Sequence, residues 1–164
     1  MAAGSPKSMS PVIVAPLATP KSTKNHQLGM IVDLDDGGEA IFVQALSEIS
    51  TYAYALVYAD GTAQMATTTL AVDSKRGGWA QASIASGYYG WLQVSGTPLA
   101  NLAANCDNAV ALYTTATGGV LDDATVSGAC VWGAVSTRTI SNATAVTMVV
   151  ARGQCIGTGA TPSV

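Results

Sequence analysis

Two acidic clusters have the residue types and spacing to do chemistry. Asp33, Asp35, Asp36 and Glu39 surround the Gly37–Gly38 pair, and Asp122–Asp123 closes the run Gly119–Val120–Leu121. Carboxylates spaced around a glycine turn are the hard oxygen ligands that calcium takes, although the residue order of an EF-hand loop is missing. Paired acids after a short apolar run can hold a metal or divide the roles of general acid and base. Neighbouring side chains on a strand point to opposite faces, so Asp122 and Asp123 share a site only if the chain turns there. The simpler expectation for both clusters is an acidic turn whose carboxylates accept backbone N–H groups. No metal site and no cofactor is expected.

The rest of the chemical inventory is thin. Nucleophilic catalysis by Ser or Cys needs a base to take the proton. His26 is the only histidine and lies in the N-terminal stretch, where a solvated side chain is expected. Cys106, Cys130 and Cys155 form no CxxC or CxxH pair, so buried free thiols are expected and neither a zinc site nor a disulfide framework is indicated. No phosphate-binding loop of the Walker type occurs. From Gly77 to Val164 only Asp107, Asp122, Asp123, Arg138 and Arg152 carry formal charge. This composition argues against an enzyme and for a structural or binding protein.

The totals agree. Charged residues make up 10% of the 164, against roughly 25% in an average soluble domain. The apolar share is 49%, yet Phe42 is the single phenylalanine. A core of small side chains buries little area per residue, so a neighbouring subunit is expected to add stability. A surface poor in charge suits an interface core. The first 28 residues hold Lys7, Lys21 and Lys24 and no acid, whereas the remainder holds four basic and ten acidic residues. An acidic body disfavours broad contact with nucleic acid. No apolar run approaches the roughly 20 residues of a membrane-spanning helix, so no membrane partner is expected.

These residues need a scaffold, and its pattern is that of strands. Pro6, Pro11, Pro16 and Pro20 recur through residues 1–28, which excludes a helix or inner strand there and predicts an extended arm. Within it the β-branched run Val12–Ile13–Val14 is suited to adding an edge strand to a partner. The body, residues 29–164, is expected to be one β-rich domain. Ala40–Ala45 reads as a strand, and Tyr52, Tyr54, Leu56 and Tyr58 alternate along the next. Asp60–Gly61 predicts a tight type I′ hairpin, with Thr62–Thr68 returning. Gly78–Trp79–Ala80–Gln81–Ala82 is echoed by Gly90–Trp91–Leu92–Gln93–Val94, predicting two strands joined tightly through Ser86–Gly87. Pro98–Asn105 reads as a turn or short helix. Ala109–Thr114, Ala129–Val135 and Thr147–Ala151 read as strands, with a fraying tail from Gly153. Trp79, Trp91, Trp132 and Tyr113 are the expected core or interface anchors. Short strands broken by frequent turns predict a small barrel or sandwich.

The run from Ala80 to Trp91 (AQASIASGYYGW) and the run from Leu112 to Asp123 (LYTTATGGVLDD) resemble the middle of small head proteins of tailed bacteriophages, the decoration or cement proteins. Asp60–Gly61–Thr62–Ala63 and Thr67–Thr68–Thr69 fit the same pattern, so the resemblance spans about residues 39–151. It implies a compact β-barrel or β-tulip body, commonly trimeric, seated on the outside of the capsid. It also implies an N-terminal arm that pairs with the major capsid protein. On this basis Val12, Ile13, Val14 and Leu17 are the expected capsid contacts. The protein would be made in the host cytoplasm, end in the virion, and stay bound without turnover. Removing residues 1–28 is expected to leave the body folded.

Two alternatives come from single features. Tyr88 and Tyr89 near a loop tip suit contact with sugar, as in a tail-fibre or adhesin domain. Gly119–Val120–Leu121–Asp122 resembles the substrate motif of trimeric nucleotide hydrolases of the dUTPase type. Thr125 stands where that family places tyrosine, and the glycine-rich tail lacks the family's aromatic residue.

Overall fold

A computed structural model describes residues 17–35, 37–71, 76–125, 129–141 and 145–157, the last stretch by its backbone. Val12, Ile13, Val14, Asp36 and Lys75 lie outside the described residues. Eleven strands follow in order and no helix occurs among the described residues. They are β1 (Ile31–Asp33), β2 (Glu39–Ala45), β3 (Tyr54–Val57), β4 (Thr62–Met65), β5 (Arg76–Ala80) and β6 (Tyr89–Gln93). β7 (Leu99–Leu102), β8 (Ala111–Thr114), β9 (Leu121–Asp122), β10 (Cys130–Ser136) and β11 (Ala145–Gly157) complete the chain.

The first half closes on itself. β2 pairs with β4, β4 with β3, β3 with β5, β5 with β6, and β6 returns to β2, giving a five-stranded barrel. Period-two alternation decides what fills it. Ile41, Val43, Ala55, Val57, Ala80 and Leu92 point inward with Ile49, Ala63 and Ile84. A barrel of five strands has a narrow lumen, which is why alanine and valine recur on this face.

The second half is a half-barrel in the order β11, β10, β8, β9, β7, and β7 returns to pair with the first residues of β11. It joins the barrel where Cys155 pairs with Arg76. The other face of the barrel wall supplies Tyr54, Leu56 and Trp79 to a second core, against Ala100, Leu102, Leu112, Leu121 and Val131. A third, smaller core lies on the opposite side, where Ala40, Phe42 and Trp91 are covered by Leu17, Leu28, Met30, Val32 and Leu34.

The mainly-β expectation holds as a barrel with a half-barrel sheet. Several local readings change. Leu99–Leu102 is a strand, because Ala100 and Leu102 alternate into the second core and β11 offers the ladder. Gly153 does not begin a frayed tail, since β11 runs on to Gly157 opposite β10. The Asp60–Gly61 turn does form, yet only Gly61 has positive φ. Tyr58 N–H donates to Thr62 (2.8 Å) and Gly61 N–H to Tyr58 (2.9 Å), the pattern of a three-residue hairpin loop ending in a left-handed glycine. The link between β5 and β6 is longer than a tight turn and crosses back through a bridge between Ile49 and Ile84.

Candidate functional site

Residues 17–34 form a strap across the outer barrel wall. Lys21 and Tyr89 exchange two backbone hydrogen bonds of 2.9 and 2.8 Å. Further along, Gly29 N–H donates to Phe42 (2.8 Å) and Phe42 N–H to Met30 (2.9 Å). Between these attachments the strap encloses a cleft of about 160 Å³. Thr19, Lys21, Thr23, Asn25 and His26 line its outer side, and Phe42, Tyr89, Gly90 and Trp91 its inner side.

The rings follow from register. Phe42 and Trp91 are cross-strand partners on β2 and β6 and face outward together, with ring centroids 5.0 Å apart. Tyr89 stacks on Phe42 at 6.1 Å with planes 12° apart. His26 meets Phe42 edge-on at 5.1 Å and Trp91 at 5.3 Å. The expectation of a solvated His26 is therefore corrected: the imidazole is half-buried against two rings. The signal was present in the sequence, since His26, Leu28, Met30, Val32 and Leu34 repeat at period two and the last four all reach the third core. Among the described residues Lys21 is the only formally charged one lining the cleft, and no carboxylate lines it.

Of the expected anchors, Trp79, Trp91 and Tyr113 are buried. Trp79 and Trp91 do not share a core, because the curvature of the barrel turns Trp79 under the half-barrel and Trp91 under the strap. Trp132 is half-buried: β10 shifts register between Trp132 and Ala134, and Gly133 there has positive φ, the marks of a bulge that re-aims a side chain. Leu17, expected to touch the capsid, is partly buried on the protein's own barrel. The boundary drawn at residue 28 thus falls inside a segment already packed on the body.

Asp122 and Asp123 do converge, because β9 ends at Asp122 and the chain turns. With Cys106 they place ligand-type atoms within 4.8 Å of one another, the one such group of three or more among the described residues. Each carboxylate has backbone to satisfy: Asp122 Oδ1 accepts Asp123 N–H (2.9 Å), and Asp123 Oδ2 accepts Asp107 N–H (3.0 Å). This is the capped acidic turn expected from sequence. Burial first, then the charges of Asp123 and Asp122, push the Cys106 thiol up to about 11, so it stays protonated at neutral pH and is a poor nucleophile. Cys106 and Cys130 are both buried. Asp33 and Asp35 are exposed on the β1–β2 turn. A larger cavity of about 560 Å³ opens at one end of the barrel, where Ile41, Val57, Gly61 and the single cation Arg76 line it.

Comparison of the chain with protein-family models, curated proteins and solved structures returns no match.

Proposed function

We propose that this protein is a decoration protein of a tailed-phage head, which binds the outer capsid surface, makes the major capsid protein its partner, and stabilises the shell by adhesion. One observation carries the reading. The barrel closes on itself and β7 pairs with both β9 and β11, so β1 is the only strand with a single neighbour among the described residues. An open edge offers unpaired N–H and C=O groups to a strand from another chain, the β-augmentation mode of binding. Ile31 on that edge is 42% exposed. The strap leads back from β1 past Leu17 to Val12, Ile13 and Val14, the proposed contact residues. The small-residue barrel and the low charge suit a body seated among neighbours, as a homotrimer, and many weakly bound copies add up through multivalency.

The test is the particle itself. Heads purified from the virus encoding this chain should carry it in stoichiometric amount, with antibody labelling on the outer face. Heads stripped of it should release their DNA at lower temperature and recover when the protein is added back. Its absence from purified heads, or stripped heads as stable as intact ones, would reject the reading.

A further inference from the structure

We infer that the cleft beneath the strap is a binding site for an acidic sugar, a pyranose ring bearing a carboxylate. The inference goes beyond the capsid reading and does not depend on it, because the cleft is lined on the strap by residues from Thr19 to His26, and the open β1 edge begins at Ile31.

Three observations converge. The first is the chemistry of the walls. The hydroxyls of Thr19 and Thr23, the Asn25 amide and the Lys21 ammonium are all donors or acceptors, and none bonds another described residue. Across from them lie rings, with Tyr89 and His26 half-buried over the floor formed by Phe42 and Trp91. A sugar presents this same division, with apolar C–H faces for rings and an equatorial girdle of hydroxyls for polar side chains. The second is charge. The protein carries a net charge of −3, yet among the described residues this cleft has a lysine and no carboxylate. Lys24 adds a second cation on the strap, and no acid precedes Asp33. Lys21 is exposed, and a carboxylate on the sugar gains from its ammonium a charge-assisted hydrogen bond that a neutral sugar lacks. The third is size. At about 160 Å³ the cleft is smaller than the roughly 300–1,000 Å³ of pockets for drug-sized ligands, which fits one ring unit at the end of or within a chain. The site is also pinned at both sides, by the Lys21–Tyr89 bridge and the Gly29–Phe42 bond, so its walls are positioned before ligand arrives.

The test uses the full chain and nuclear magnetic resonance. With one histidine in the protein, the ring signals of His26 need no assignment by mutation. D-glucuronate, D-glucose, acetate and inorganic phosphate are titrated separately at pH 7. Glucuronate is expected to shift the His26 ring and the Trp91 indole signals saturably; glucose should be weaker by about tenfold for want of the charge-assisted bond, and acetate by about tenfold for want of the ring that packs on the aromatic floor. Lys21→Ala should weaken glucuronate by about the same factor without moving glucose. Ligand-free Lys21→Ala with the His26 and Trp91 ring signals of the wild type shows that the variant is folded. No saturable response to glucuronate overturns the inference. An equal response to acetate or phosphate also overturns it, because the cleft would then be a plain anion site.

Discussion

Tyr54 and Trp79 face each other across β3 and β5, fully buried, with ring centroids 4.7 Å apart and planes at 56°. They are the hinge between the barrel and the half-barrel, since both rings leave the barrel wall to enter the second core. Gly77 makes the pair possible: a Cβ there would strike the Tyr54 hydroxyl and ring. The glycine is needed for space, and its φ is ordinary.

Gly77→Ala is therefore expected to destabilise the protein by about 1–3 kcal/mol, the usual cost of overpacking. Gly118→Ala is the control, because its φ is ordinary and its Cβ would come no nearer than 3.4 Å to Met65. Urea denaturation followed by tryptophan fluorescence compares the two. A Gly77→Ala midpoint equal to that of the wild type would mean that Tyr54 has room to shift.

Trp79→Phe tests the same core differently. The indole Nε1 is buried without a hydrogen-bond partner among the described residues, and an unmet buried donor costs about 1–3 kcal/mol. Phenylalanine removes both the donor and some volume. The net loss is expected to fall well below the roughly 3–5 kcal/mol of a truncation to alanine, as read from the same denaturation curves for both variants.

Gly61 couples the hairpin to the strap. Its φ is +80°, and a Cβ would lie 2.5 Å from Leu28 Cβ. Gly61→Ala is expected to cost about 1–2 kcal/mol from the left-handed backbone alone. It should also raise hydrogen exchange at Lys21 and Gly29 as the strap is pushed outward. Unchanged exchange there would show that hairpin and strap move independently.

The parts of this fold legible in sequence are those fixed by near neighbours. Asp60–Gly61 announces its hairpin because Asp60 Oδ1 accepts both the N–H and the hydroxyl of Thr62 two residues on. The two Gly–Trp strands announce themselves by period two. What alternation does not say is which of several cores a face reaches, so Trp79 and Trp91 read alike and end on opposite sides of the barrel. Leu99–Leu102 is too short and too mixed to read as a strand until β11, more than forty residues later, supplies its ladder. The meeting of Cys106 with Asp122 and Asp123 is equally invisible, as it depends on β8 and β9 bringing residues sixteen apart into contact.

Two carboxylates should show pH effects of opposite sign. Asp122 is pushed above its ordinary 3.8 chiefly by burial, so its charge opposes folding above the raised value and that cost fades as pH falls through it. Asp122→Asn keeps an acceptor for Asp123 N–H, and it should match or exceed the wild type at pH 7 with the advantage shrinking toward pH 4. Asp60 is held below its ordinary value by the Thr62 hydroxyl and N–H. It stabilises the hairpin above the ordinary value and loses this as pH falls through the lowered one, so Asp60→Asn should be harmful at pH 7. Thermal melts across pH 3–7 check both signs.

The strap decides how much of the N-terminus is dispensable. Leu17 and Leu28 are partly buried against Ala40, Phe42 and Trp91, and each contributes of the order of 1 kcal/mol at that degree of burial. Removing residues 1–28 takes both away, breaks the Lys21–Tyr89 bridge and uncovers two aromatic rings. The sequence alone predicted that this truncation leaves the body folded, but the packing predicts a loss of about 2–4 kcal/mol once the freed ring surface is included. Removing residues 1–16 leaves every described contact in place and is the reference for the longer deletion. Tryptophan emission separates the cases, because Trp91 is buried only while the strap is down: the longer deletion should shift it to the red and the shorter should not. Equal melting temperatures and emission for the two truncations would show that the strap adds nothing to the barrel.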